Sequence, residues 1–126
     1  MNTIRGTIND LLDVPAITDV ATGGVWFGHV TDLDAEQPFC IFHMEGGAEE
    51  WAMGDGGLET EVWVVKGAGE DAGKVEDVDT IAQGLMHDAV GQFCRRLGPI
   101  EYREVNGGTT TYYRGSRYQI RKDRQA

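Results

Sequence analysis

Two of the three histidines, His29 and His43, fall on neighbouring predicted strands, and imidazole nitrogens are common ligands of transition metals. A zinc site needs three or four converging ligands. The sequence contains neither a His-x-His nor a Cys-x-x-Cys spacing to supply them. We therefore expect two polar side chains on a sheet face, with no metal ligand and no cofactor-binding residue. The alternative is a small metal-dependent enzyme that uses His29 and His43.

Nucleophilic catalysis would need a cysteine or serine beside a histidine. The cysteines are Cys40 and Cys94, and the single serine is Ser116, outside any Gly-x-Ser-x-Gly context. Cys94 and His87 are predicted on one helix, seven residues apart, which separates them by two turns and prevents direct proton transfer. We expect both cysteines to be reduced core thiols rather than a disulfide or a nucleophile.

Two further patterns resemble part of a catalytic or phosphate-binding motif, and neither contains the whole motif. Glu59 and Glu61 share a predicted strand face, as paired catalytic carboxylates would, but exposed acids on a solvated strand are far commoner. Residues 67–69, Gly-Ala-Gly, lack the second half of G-x-G-x-x-G and precede Glu70 and Asp71, which would repel an anion. The sequence thus gives no positive case for an enzyme, and we expect no catalytic residue.

The remaining chemical pattern is a basic C-terminal strand in which arginines alternate with tyrosines. It contains Arg114, Arg117, Arg121, Lys122 and Arg124 together with Tyr112, Tyr113 and Tyr118. Basic and aromatic side chains can bind single-stranded nucleic acid. They can equally meet an acidic surface on another subunit. We favour the second interpretation because the chain itself supplies the acids.

Charge is divided along the chain. Residues 1–90 contain eighteen acids and three bases, and residues 91–126 contain three acids and eight bases, so the local net charges are −15 and +5. The overall charge of −10 disfavours nucleic-acid binding by most of the surface and would let DNA pass without sticking. Opposite charges on separate surfaces would attract copies head to tail, and head-to-tail contacts that close make rings.

Hydrophobic periodicity predicts the elements that must position these residues. We expect helices over residues 2–13 and 75–93, and strands over 25–30, 38–44, 58–66, 99–105 and 109–122. Asn106-Gly107-Gly108 separates the last two strands and predicts a hairpin whose turn has positive φ. The prediction is a single domain over residues 1–126 with an α+β fold. Its mainly antiparallel sheet of about five strands carries a short N-terminal helix and one long helix on one face.

Within these elements, residues 63–65 are apolar on both strand faces, so we expect them in a central, covered strand. Gly84 lies in the middle of the long helix, where glycine costs about 1 kcal/mol relative to alanine, and we expect another element to approach closely there. Arg95 and Arg96 are expected at the C-terminus of that helix, where cations are favourable. Residues 67–74 are expected to be a glycine-rich connection.

Residues 45–57 have no periodicity and contain five glycines, four acids, Trp51 and Met53. They predict a long loop or the tip of an extended hairpin, and long loops in compact domains are often functional. No apolar run approaches the ~20 residues of a membrane-spanning helix. Because no signal peptide is visible either, we expect synthesis in a reducing cytoplasm.

Several segments, in order along the chain, resemble the tail terminator (tail completion) proteins of long-tailed bacteriophages. Residues 23–26 are Gly-Gly-Val-Trp, and residues 37–41 are Gln-Pro-Phe-Cys-Ile, where the family has proline followed by an aromatic and aliphatic residues. Residues 58–64, 75–89 and 112–120 are similar to the central strand, long helix and closing strand of that family. The glycines and acids of residues 45–57 match no feature of the family.

The resemblance implies a structural virion protein and not an enzyme. It implies a homo-hexameric ring that caps the finished tail tube, ends its polymerisation and joins tail to head. The implied partners are the major tail tube protein and a neck or connector protein, with DNA passing through the pore without specific binding and no membrane contact. The protein would be made and assembled in the host bacterial cytoplasm and would reside at the tail–neck junction of the virion.

Two groups of residues are expected at subunit or partner contacts. Part of the 45–57 segment, comprising Glu49, Glu50, Trp51 and Met53, would meet the tube or neck protein, with Trp51 as an apolar anchor. The basic strand would meet an acidic surface of the next subunit through Arg114, Arg117 and Arg121.

Other functions remain open at this point. The nearest alternative is another head–tail connector or neck (head-completion) protein, which shares the size and the ring symmetry. An acidic inhibitor that mimics DNA would need acids spaced like phosphates on one exposed face, whereas these acids are scattered over predicted loops and helices.

Overall fold

The computed structural model describes residues 4–28, 36–50, 58–87 and 93–123. Its elements are α1 (Ile4–Leu12), α2 (Pro15–Thr18), β1 (Val25–Phe27), β2 (Phe39–Glu50), β3 (Leu58–Gly69), α3 (Ala72–His87), β4 (Phe93–Asn106) and β5 (Thr109–Asp123). The strands form one sheet in the order β1-β2-β3-β5-β4. β1 pairs with β2 in parallel, and the other neighbours are antiparallel. The expected α+β fold is confirmed.

Helices cover one face of this sheet. α3 packs against β3 and β5, and α1 and α2 pack against α3. The buried core between these layers contains Ile4, Ile8 and Leu12 of α1, Val78, Ala82 and Met86 of α3, and Cys40, Phe42, Trp63, Val65, Tyr118 and Ile120 of the sheet. The helical residues recur every three or four positions, and the sheet residues lie on one face of the pleat, so the apolar spacing of the sequence explains both layers.

β3 is the central strand, as the apolar run at residues 63–65 predicts. Trp63, Val64 and Val65 are all buried. Val65 faces the helices, and Val64 lies on the opposite face beside Arg117 of β5. A strand that is buried on both of its faces favours a continuous run of apolar residues.

The close approach expected at Gly84 occurs at Gly67 instead. A Cβ at Gly84 would meet no atom within 4 Å, whereas a Cβ at Gly67 would lie 2.8 Å from the carbonyl oxygen of Val75 and 3.0 Å from Cβ of Val78. The first turn of α3 therefore rests directly on the backbone of β3. Residues 67–69 accordingly belong to β3 rather than to a connection, which corrects that part of the sequence prediction.

The predicted helix over residues 75–93 is wrong at both ends. α3 spans Ala72–His87, residues 88–92 lie outside the described part of the chain, and Phe93–Asn106 is a strand paired with β5 along its length. The apolar stripe of the predicted helix continues to Phe93. In the fold, however, β5 offers the residues from Phe93 onward backbone hydrogen bonds as a strand partner. Arg95 and Arg96 therefore lie on β4 and do not cap a helix.

β2 and β3 extend further than predicted. They stay paired up to Glu50 opposite Leu58, with one irregularity between Met44 and Gly46, so the extended-hairpin alternative is confirmed for residues 45–50. Residues 51–57 lie outside the described part of the chain.

The β4–β5 hairpin is confirmed, with its turn displaced by one residue. Asn106 pairs with Thr109, and Gly107 and Gly108 both have positive φ, at 60° and 88°. A two-residue turn with both φ positive fits the twist of a hairpin. β3 pairs with β5 only as far as Tyr112, so the end of the hairpin continues as a two-stranded ribbon with Val105 69% exposed.

Candidate interaction surfaces

Alternation along β5 places Arg114 and Arg117 on opposite faces of the sheet. Arg114 lies on the helical side, where its Nε is 3.7 Å from Oδ2 of Asp79 and its Nη1 donates to Glu101 at 3.2 Å. Arg117 lies on the other side, as its parity predicts, and its Nε donates to both carboxylate oxygens of Glu45 at 3.0 Å. Both arginines therefore already have acidic partners within the chain.

These ion pairs weaken the prediction that opposite charges on separate surfaces attract copies of the chain. Asp79 and Glu45 come from the acidic first part of the sequence, and Arg114 and Arg117 come from the basic last part. The fold brings them together, so opposite charges are partly paired inside one subunit. The Arg117–Glu45 pair is about half exposed, and such pairs contribute about 0–1 kcal/mol.

A buried polar network joins α3 to the sheet. Asp79 is 1% exposed and Ser116 is fully buried. Ser116 Oγ donates to Oδ1 of Asp79 at 3.0 Å and accepts from Nε of Arg96 at 2.9 Å. Gln83 Nε2 donates to Oδ2 of Asp79 at 3.1 Å. The buried carboxylate is thus hydrogen-bonded from its own helix and from β5, as a buried charge requires.

The sequence analysis did not identify this network. The helical pattern predicts Asp79 on the polar face of α3, beside Glu76 and Gln83, and the structure corrects this, because Asp79 lies one turn after the buried Val75 and is itself buried. Ser116 shares the parity of Tyr118 and Ile120 in β5. An acid and a serine at core-facing positions of two elements that pack together, Asp79 and Ser116, are the sequence signal for such a network.

The sheet face opposite α3 carries an aromatic cluster. Tyr102 and Tyr113 are cross-strand neighbours whose rings stack, with centroids 4.5 Å apart and planes 10° apart. Lys66 Nζ lies 5.3 and 5.2 Å from their centroids and donates to the Tyr102 hydroxyl at 2.7 Å. A shallow hollow of about 340 Å³ adjoins them, bordered by Phe39, Ile41 and Ala68. No described helix packs over this face.

Exposed apolar side chains stand at the two opposite edges of the sheet. At one side of the sheet, Phe27 of the edge strand β1 and Met44 of β2, which lies beyond the last residue that β1 pairs, are 46% and 50% exposed. Leu97, Tyr102 and Val105 are 47%, 40% and 69% exposed on β4, at the other edge. The two edges therefore present different apolar surfaces.

The other predicted contact residues lie at the margin of the described chain. Glu49 and Glu50 are in β2, where Glu49 is opposite Glu59 and Glu50 is opposite Leu58. Arg121 is in β5, opposite Thr60. Trp51 and Met53 lie outside the described residues, as does His29, so no geometry joins them to the other predicted contact residues.

Burial shifts the pKa of both thiols and of one histidine. Burial raises the pKa of Cys40 to about 12, with a further contribution from the charge of Asp79, and burial raises the pKa of Cys94 to about 11. Burial lowers the pKa of His43, and the nearby charge of Lys66 lowers it further. Both cysteines are free thiols that stay protonated at neutral pH.

Cys94 and His87 lie on different elements, not on one helix, and both border a cleft between α3, β4 and β5. Among the residues that the structure describes, no group of three or more His, Cys, Asp or Glu side chains could hold a metal ion. Within the same ranges, no helix is both long and apolar enough to cross a membrane.

Comparison with known proteins adds no family to this geometry. No protein-family model matches the chain, and no curated protein matches it.

Proposed function

We propose that the protein is a structural component of the tail–head junction of a long-tailed bacteriophage, a tail terminator that assembles as a hexameric ring on the end of the tail tube. In this role it ends tube polymerisation and joins the tail to a neck or connector protein, and DNA passes through the ring without specific binding. It acts without a cofactor and resides in the virion after assembly in the host bacterial cytoplasm.

The observation that carries this proposal is the pair of unlike apolar edges. A ring needs a heterologous contact, in which one surface of a subunit meets a different surface of the next. Phe27 and Met44 supply one such surface, and Leu97, Tyr102 and Val105 supply the other. Apolar and aromatic residues are the side chains that contribute most at the centre of protein interfaces.

Charge plays a smaller part in this assembly than the sequence alone indicates. Arg114 and Arg117 are paired within the subunit, so their charges are already partly compensated before a neighbour is met. Arg121 remains a candidate for contact with the next subunit. Glu49 and Glu50, at the end of β2, remain candidates for contact with the tube or neck protein, and so do Trp51 and Met53.

Two single variants test the head-to-tail contact. Met44→Asp places a charge at the β1–β2 edge, and Leu97→Asp places one on β4. Each variant alone should be a monomer by light scattering, whereas the wild type should have the mass of a ring and show a central pore by electron microscopy. An equimolar mixture of the two variants should form a dimer, because one intact edge of each kind remains. A monomeric wild type, or a variant that still forms rings, would remove the proposal.

A second experiment separates the terminator from the alternative, another head–tail connector or head-completion protein. Purified ring added to polymerising tail tube protein should stop elongation and cap the tubes. Trp51→Ser should weaken capping, and Glu76→Ser, which changes an exposed residue of α3 outside both apolar edges, provides the comparison. A ring that binds a portal or connector but leaves tube growth unchanged would favour the alternative.

A further inference from the structure

The cleft between α3, β4 and β5 has the features of a ligand site, and none of the residues assigned above to contacts in the proposed ring lines it. Its volume is about 350 Å³, and its walls are Gln83, Gly84, His87, Cys94, Arg96 and Tyr118. Sites for small molecules range upward from ~300 Å³. The absence of a side chain at Gly84 contributes to this space, since a Cβ there would meet no atom within 4 Å.

Arg96 is the cation of this cleft and is held in place from one side. Its Nε donates to Ser116 Oγ at 2.9 Å, and Ser116 is itself fixed by the buried Asp79. Unlike Arg114 and Arg117, Arg96 has no carboxylate within 4 Å among the described residues. A guanidinium offers five N–H donors, and the side-chain hydrogen bond of Arg96 to the described residues uses Nε, so its terminal nitrogens can donate to another acceptor.

Tyr118 supplies an independent indication. The residue is 2% exposed and borders the cleft, yet its buried hydroxyl makes no hydrogen bond of good geometry. The nearby Ser116 hydroxyl acts on the pKa of Tyr118, but it is already bonded to Asp79 and Arg96. Buried hydroxyl groups are normally paired, and an unpaired one needs an explanation such as a ligand that is not present. Burial raises the pKa of Tyr118, so the hydroxyl keeps its proton and can donate it in a hydrogen bond.

We propose that this cleft binds a carboxylate group, with the guanidinium of Arg96 and the hydroxyl of Tyr118 as its donors. One guanidinium matches the single charge and the two planar oxygens of a carboxylate. A phosphate dianion would bring a second charge toward a chain whose net charge is −10. The carboxylate comes either from a small organic acid or from an acidic side chain of another copy.

The test uses benzoate and benzamide, which share a shape and differ in charge. Isotope-labelled wild-type protein is titrated with each, and backbone amide shifts are followed by NMR. Benzoate should produce saturating shifts around Gly84, Cys94 and Arg96, with an affinity at least tenfold higher than that of benzamide. Absence of saturating shifts at these positions, or equal affinity for the two compounds, would overturn the proposal.

Variants identify the donors. Arg96→Gln should weaken benzoate binding at least tenfold, and Tyr118→Phe should weaken it severalfold, whereas Arg95→Gln, an exposed neighbour on β4, should leave it unchanged. Gly84→Leu should block the cleft without touching either donor, which keeps the test decisive if Arg96→Gln disturbs Ser116. Full benzoate affinity in Arg96→Gln or in Gly84→Leu would overturn the proposal.

A second measurement separates the two sources. Alkylation of Cys94, a partly buried thiol that reacts slowly because it stays mostly protonated, reports whether the cleft is covered, and Cys40, which is fully buried, provides the unreactive comparison. Protection that grows with protein concentration and is lost in Arg96→Gln assigns the carboxylate to another copy. If benzoate protects Cys94 at every protein concentration, and a change of protein concentration alone does not, the carboxylate belongs to a free acid. A monomeric protein that binds benzoate would remove the ring and leave this site in place.

Discussion

Ser116 connects three elements through one hydroxyl, although its side chain is among the smallest in the core. It hydrogen-bonds Asp79 of α3 and Arg96 of β4 from its place on β5. Its removal would leave an oxygen of the buried Asp79 carboxylate without its partner. Unsatisfied buried polar groups cost more than the hydrogen bond itself contributes.

We expect Ser116→Ala to lower the free energy of unfolding by about 1–3 kcal/mol. Arg117→Gln, which removes an exposed ion pair on the same strand, should lower it by less than about 1 kcal/mol. Urea unfolding followed by circular dichroism would measure both. A smaller loss in Ser116→Ala than in Arg117→Gln would contradict the importance assigned to the network.

The buried thiol of Cys40 gives stability a pH dependence. Its folded pKa of about 12 lies above its ordinary value of 9.0, so the folded protein holds this proton more tightly than the unfolded chain. The resulting stabilisation is complete below pH 9 and is lost as the pH rises toward 12. We expect the free energy of unfolding to fall more steeply over this interval in the wild type than in Cys40→Ala. Parallel curves from urea unfolding at successive pH values would be inconsistent with this cause.

At the scale of elements, two glycines, one on β3 and one on α3, have opposite roles. Gly67 lies under the first turn of α3, and Gly84 faces open space on the same helix. Glycine is required where backbones meet and is a cost where nothing approaches.

Gly67→Ala should therefore destabilise the protein by about 1–3 kcal/mol, because α3 must move away from β3. Gly84→Ala should stabilise it by about 0.5–1 kcal/mol through helix propensity alone. Thermal denaturation of the two variants beside the wild type would test both signs. A stabilising Gly67→Ala would mean that α3 does not rest on β3 at this point.

The elements that could be predicted from sequence are those whose apolar spacing fits only one kind of secondary structure. Ile4, Ile8 and Leu12 give α1, and the apolar run at residues 63–65 gives the central strand. The segment 93–96 could not be assigned, because Phe93 continues the helical stripe while β5 offers it a strand partner that only the tertiary fold reveals. The Asp79–Ser116–Arg96 network was missed for the same reason, since its members lie on three elements.

At the scale of the whole molecule, the source of attraction between copies determines its response to salt. If exposed apolar edges carry the contact, screening of charges should leave it intact. We expect the ring to keep its mass at about 1 M salt, where the Debye length is ~3 Å. Light scattering across a salt series would measure this. Dissociation into monomers at high salt would show instead that opposite charges hold the copies together.

The ribbon that continues β4 and β5 past the end of β3 has a practical use. Its turn at Gly107 and Gly108 lies beyond the last residue that β3 pairs, so an inserted epitope of a few residues would leave every core contact in place. Antibody fragments bound to that epitope would appear in electron micrographs as projections at a fixed radius. Their position, toward the bore or toward the rim, would orient each protomer in an assembly without a high-resolution map.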